Sequence, residues 1–256
     1  MQIKILGCSG GIGGDLRTTS MLIDDNILID AGSGVGDLSM DALLKIDHIF
    51  VTHAHLDHIA FIPPLLDTVL GFRTVPVTIH ALQATIDTLR AHIFNWKIWP
   101  DFNAIPSAEA PFLIYSAITL GETVQLNGRK ITPVPANHVV PAVGYHLEGT
   151  EASLIFTGDT TTNDALWPLV NKMHNLKYLI IETAFRNDEL ELAKLSKHLC
   201  PSLLVDELNK ITLTQPLEVF ITHLKPGEGD VIMQEIAQSQ IRQPVQALQN
   251  QQQFMI

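Results

Sequence analysis

Short apolar runs recur along the whole chain, each closed by a turn-forming or charged residue. Residues 2–6, 18–23, 27–30 and 46–52 are rich in β-branched side chains and predict strands. So do residues 77–79, 112–118, 130–134, 143–147, 153–156, 178–181 and 217–222. Helical punctuation falls between them: Ser39 caps a short helix to Leu44, and Pro63-Pro64 interrupts and restarts a helix that runs through Leu70. Residues 84–92, 163–174, 189–197 and 201–210 predict further helices, and another begins near Asp230. Asp24-Asp25-Asn26 reads as a hairpin turn, and Gln249 to Gln253 as a polar tail.

Strands, intervening helices and then the same again imply two sheets face to face with helices outside. The chain of 256 residues is 46% hydrophobic, ample for a core, and no low-complexity linker divides it, so one domain over 1–256 is expected. No run reaches the roughly 18 apolar residues of a membrane span, and the first strand begins without a signal-peptide pattern. Cys8 and Cys200 form no disulfide or zinc-finger spacing, so a cytoplasmic location is expected. A formal net charge of −11 argues against extended nucleic acid as a partner, though a small anion drawn to a metal centre is compatible with it.

Chemistry concentrates in Thr52-His53-Ala54-His55-Leu56-Asp57-His58, directly after an apolar strand. His53 and His55 fall on one side of extended chain, and Asp57 and His58 sit where the chain turns toward a helix, so each pair suits one metal. A lone histidine is more often an ordinary buried side chain. Three with an aspartate at this density are costly to bury without a cation, which favours metal binding. His138 and Asp159 each follow an apolar strand in the same way, as do Glu182 and His223. The glycine-rich stretch from Gly7 to Gly14 lacks the Lys-Ser or Lys-Thr of a nucleotide loop and reads as close backbone approach around a site.

The stretch T-H-A-H-L-D-H resembles the H-x-H-x-D-H signature of the metallo-β-lactamase-fold superfamily. The resemblance implies an α/β four-layer αββα sandwich. It also implies His53, His55 and His138 as ligands of one metal, Asp57, His58 and His223 as ligands of a second, and Asp159 as the bridge. Asp30 is similar to the buried aspartate that orients such ligands through hydrogen bonds. Nitrogen and oxygen donors of this kind suit two divalent ions, zinc before manganese or iron, and the implied reaction is metal-dependent hydrolysis with Asp57 taking a proton from water.

Glu182-Thr183-Ala184-Phe185 followed by Ser196-Lys197-His198-Leu199 resembles the Glu and His pair of the phosphodiesterase branch. There His198 protonates the leaving alkoxide and Glu182 holds its tautomer. Together with the segment His92 to Phe102, these stretches look like class II 3′,5′-cyclic-nucleotide phosphodiesterases. The implied reaction opens a cyclic nucleotide to a 5′-nucleotide through a metal-bound hydroxide. Phe94, Trp96, Trp99 and Phe102 offer a stacking wall for the base, or alternatively a hydrophobic plug or homodimer contact. The alternatives are another phosphodiester, as in ribonuclease Z, a thioester, as in glyoxalase II, and a nucleotide binder without turnover.

Overall fold

The apolar runs resolve into two seven-stranded sheets. The computed structural model describes residues 1–256. One sheet contains β1 (Gln2–Gly7), β2 (Ser20–Ile23), β3 (Ile27–Ile29), β4 (His48–Phe50), β5 (Val77–Ala81) and β6 (Leu113–Ala117) in chain order. The other contains β7 (Val124–Leu126), β8 (Arg129–Pro135), β9 (Val143–Glu148), β10 (Ser153–Phe156), β11 (Leu176–Glu182), β12 (Glu218–Thr222) and β13 (Val245–Ala247). A last strand, β14 (Gln253–Met255), returns to pair antiparallel with β1. Strands β3 to β6 are mutually parallel, and so are β10 to β13. Their carboxyl ends therefore gather at one edge of each sheet, the edge from which loops of parallel sheets reach ligands.

Three apolar clusters make four layers. Alternate residues of one strand point to opposite faces, so Ile49 packs outward with Ile62, Leu65 and Leu66 of the helix Ile62–Val69, while Phe50 packs inward between the sheets. In the second sheet Leu154 and Phe156 point inward, and Ile155 faces the helices Pro201–Leu208 and Gly229–Ala237 through Leu204 and Ile232. Burial on both faces explains why these strands read as continuous apolar runs. The structure is thus the expected helix–sheet–sheet–helix sandwich, and no helix is long and apolar enough to cross a membrane.

Several expectations need correction. The Gln-rich end is no loose tail: Phe254 is 3% exposed and packs at 4.9 Å ring separation on both Tyr178 and Phe220 of the opposite sheet. Two inward residues, Phe254 and Ile256, alternate with outward Gln253 and Met255, a strand pattern too short to stand out among glutamines. The helix expected over 163–174 shrinks to Trp167–Val170, with 164–166 as a turn before it, and the Asn163 backbone N–H and Trp167 Nε1 both donate to Glu207 Oε2. Residues 84–92 form the α-helix Gln83–Thr88 continued by a π-turn, Leu89–Ile93. The stacking wall is also revised. Phe94 and Phe102 are each 1% exposed inside the outer core and the half-buried Trp99 packs against it, as a hydrophobic plug would, so of the four Trp96 alone is largely exposed.

Phe254→Ala is expected to cost roughly 3–5 kcal/mol of unfolding free energy in urea titration, through the cavity left between the sheets. Met255→Ala, at a side chain 64% exposed, is expected to stay within about 0.5 kcal/mol of the native chain.

Candidate metal centre

Asp30 directly follows β3 in the left-handed region, with φ 57°, a conformation aspartate tolerates better than most residues, and it is fully buried. Its Oδ1 accepts from the Thr52 backbone N–H at 2.8 Å. Its Oδ2 accepts from the Thr52 hydroxyl at 2.8 Å and lies 2.7 Å from His58 Nδ1. Since the Thr52 proton is committed to Asp30, Thr52 Oγ1 is left as acceptor for His53 Nδ1 at 3.0 Å. One carboxylate thereby sets two imidazoles, His58 directly and His53 through Thr52, with both Nε2 atoms turned the other way.

Those Nε2 atoms, and His223 Nδ1, are buried and have no hydrogen-bond partner. His138 is oriented likewise: its Nδ1 lies 3.1 Å from the Lys197 carbonyl, leaving Nε2 at 3.2 Å from His55 Nδ1. Ligand-type atoms of His53, His55 and His138 fall within 4.8 Å of one another, and so do those of Asp57, His58, Asp159 and His223. Asp159 Oδ2 is 3.3 Å from His58 Nε2 and 3.8 Å from His53 Nε2, so it stands between the two groups.

Burial keeps several of these imidazoles neutral: it lowers His53 well below its ordinary range and takes His138 and His223 down to about 4. A neutral imidazole with its second nitrogen pinned presents a lone pair, the form a divalent cation binds. For His58 burial acts the same way, but the Asp159 and Asp30 carboxylates outweigh it and raise the ring well above its usual value, which marks the place as one that favours positive charge. Orphaned buried nitrogens around a carboxylate fit a nitrogen- and oxygen-ligated divalent metal.

A second polar pair adjoins the cluster. Glu182, the last residue of β11, is fully buried, and its Oε1 lies 2.7 Å from His198 Nδ1 while accepting the Thr160 N–H at 3.0 Å. Its Oε2 accepts the Leu199 N–H at 3.1 Å. The His198 ring stacks on His223 at 5.1 Å and meets His138 edge-on at 4.9 Å, with a ring nitrogen within 4.8 Å of donor atoms of His138 and Asp159. Burial lowers His198, but Glu182, by charge and hydrogen bond, raises it overall and keeps a proton on the ring.

All nine histidine and acidic residues singled out around the site thus converge, together with Asp30. Thr52 and Thr160 were missed as positioning residues. Thr52 stood beside the motif and carried a signal; Thr160 carried none. The glycine-rich stretch does pass close by: a Cβ on Gly10 would lie 2.5 Å from the His223 carbonyl oxygen.

A helix–sheet–sheet–helix sandwich with this donor cluster at its edge defines a metal-dependent hydrolase. The chain belongs to the beta-lactamase superfamily, whose domain matches residues 25–229. Among its relatives is a probable 3′,5′-cyclic-nucleotide phosphodiesterase of Yersinia pestis, 29% identical over 276 residues, covering 88% of this chain and 78% of the relative. A ribonuclease Z of Halorubrum lacusprofundi is 37% identical over 157 residues, which cover 58% of this chain and 47% of the ribonuclease. The fold superposes on unliganded yeast PDE1 with a TM-score of 0.81 at 20% identity, over 100% of this chain and 99% of that one.

Asp30→Asn leaves the donor cluster in place but removes the charge that pins His58 and His53. Metal affinity is expected to fall roughly ten- to hundred-fold, read by chelator competition. Unchanged affinity would remove Asp30 from the site.

Proposed function

We propose that this single domain is a dinuclear-metal phosphodiesterase that opens 3′,5′-cyclic nucleotides to 5′-nucleotides. The observation that carries the reading is the buried His198–Glu182 pair set against the seven-donor cluster. A phosphodiester needs a proton for its departing alkoxide, and a thioester needs one far less. The Yersinia pestis relative, matched along most of both chains, supports the same substrate class.

In this reading His53, His55 and His138 would hold one divalent ion and Asp57, His58 and His223 the other, with Asp159 available to both groups. Such a pair, zinc by donor chemistry, supplies Lewis acidity toward a phosphoryl oxygen and a water acidified near neutral pH. The protein's own groups do the rest. The partly exposed Asp57 carboxylate, whose Oδ2 lies 3.7 Å from His58 Nε2 and 3.9 Å from His223 Nε2, accepts the proton of the attacking water. Glu182 holds one proton on His198 Nδ1 and by its charge favours the imidazolium, whose Nε2 proton goes to the leaving 3′-oxygen and leaves the ring neutral. Stacking between His198 and His223 holds that ring beside the reacting centre.

A ribonuclease reading draws on the 37% identity with ribonuclease Z, which extends over about half of that relative's length. Cleavage of a short RNA with no turnover of cyclic nucleotides would favour it.

His198→Ala is expected to lower turnover by roughly 10²–10⁴-fold with both metals retained, measured as 5′-nucleotide formation beside metal analysis. Loss of metal together with turnover would make His198 a ligand, and a 3′-nucleotide product would reverse the leaving oxygen.

A further inference from the structure

The chain carries 27 acidic against 16 basic side chains, yet a phosphodiester is itself an anion and has to be held at this end of the molecule. The cations near the centre differ in what they already bind. Arg186 is engaged by Asp188, Glu189 and Glu228. Lys197 spans Asn137 Oδ1 at 3.3 Å and the His138 carbonyl at 3.0 Å, so its ammonium fastens the segment that presents His138.

Lys225 is different. It follows His223 by two residues and is half-buried, and its Nζ donates to one acceptor, the Gly10 carbonyl at 3.0 Å, with no carboxylate paired to it. Gly10 lies against His223, since a Cβ there would sit 2.9 Å from His223 Cδ2. On its other side, Lys225 Nζ is 6.0 Å from the centre of the Phe185 ring, which meets His198 edge-on at 5.7 Å. An ammonium has three donors. Here one is taken by the Gly10 carbonyl, and two remain free of protein acceptors and can take the oxygens of an anion.

We propose that Lys225 is the anion anchor of the site: its ammonium binds a non-bridging phosphate oxygen and selects anionic phosphodiesters over neutral esters and thioesters. This role rests on the phosphodiesterase reading and adds to it the group that recognises the substrate's charge.

The test is calorimetric titration of the metal-loaded protein with adenosine 5′-monophosphate, for the native chain, Lys225→Met and Lys225→Arg, at low and at raised salt. Lys225→Met is expected to bind roughly ten-fold more weakly at low ionic strength, with the gap narrowing as salt screens the charge. Lys225→Arg is expected to keep most of the affinity, and all three are expected to share metal content and melting temperature. Equal binding by the native chain and Lys225→Met, or no binding by either, overturns the proposal. Lys225-dependent binding without any turnover of cyclic nucleotides keeps the anchor and sinks the cyclic-nucleotide reading. Turnover of cyclic nucleotides with binding indifferent to Lys225 does the reverse.

Discussion

The site depends on a single buried carboxylate. Asp30 takes three hydrogen-bond donors, and each does a different job: the Thr52 backbone ties β3 to the segment after β4, the Thr52 hydroxyl fixes His53, and His58 is fixed directly. Burying a charge is costly unless it is fully bonded, and here the bonds that offset the cost also choose the tautomers. The same carboxylate therefore joins the strand ends and aims the ligands.

What this leaves is an unsatisfied centre. Three buried ring nitrogens lack a well-formed hydrogen bond, around an aspartate reached from both sides. Unpaired buried polar groups of this kind are tolerated where something else completes them. The fold makes the arrangement possible because the donors arrive from both sheets: His53 to His58 follow β4, while Asp159, Glu182 and His223 come from the ends of β10, β11 and β12. Parallel strands direct all of these ends to one edge, and the inner core of Phe50, Tyr145 and Phe156 holds the two sheets in register beneath it. Tyr145 adds a direct tie, its hydroxyl donating to the Val51 carbonyl at 2.8 Å across the gap.

The layers and the ligand cluster were legible because each rests on a local pattern: continuous apolar runs for doubly buried strands, and donors packed within a few residues for the centre. The Glu182 and His198 pairing was legible only through family resemblance, since sixteen residues of chain separate partners 2.7 Å apart. Phe94 and Phe102 stayed open between stacking wall and hydrophobic plug because composition shows aromatics without showing which way they point; packing buries both, as the plug alternative has it. The last strand was hidden by its glutamines, whose outward positions say nothing about Phe254 beneath. Likewise Lys225 looks like any surface lysine in sequence; its meaning lies in the carboxylate it lacks and in the rings it adjoins.

In the proposed reading, Asp30 orients one histidine of each donor group, His58 directly and His53 through Thr52, and the two groups together hold a pair of ions beside Asp159. Anomalous diffraction at the zinc edge from crystals of the zinc-loaded protein tests it most directly. The prediction is two peaks, one among His53, His55 and His138 and one among Asp57, His58 and His223, with Asp159 in contact with both. A single peak, or peaks away from these side chains, would contradict it.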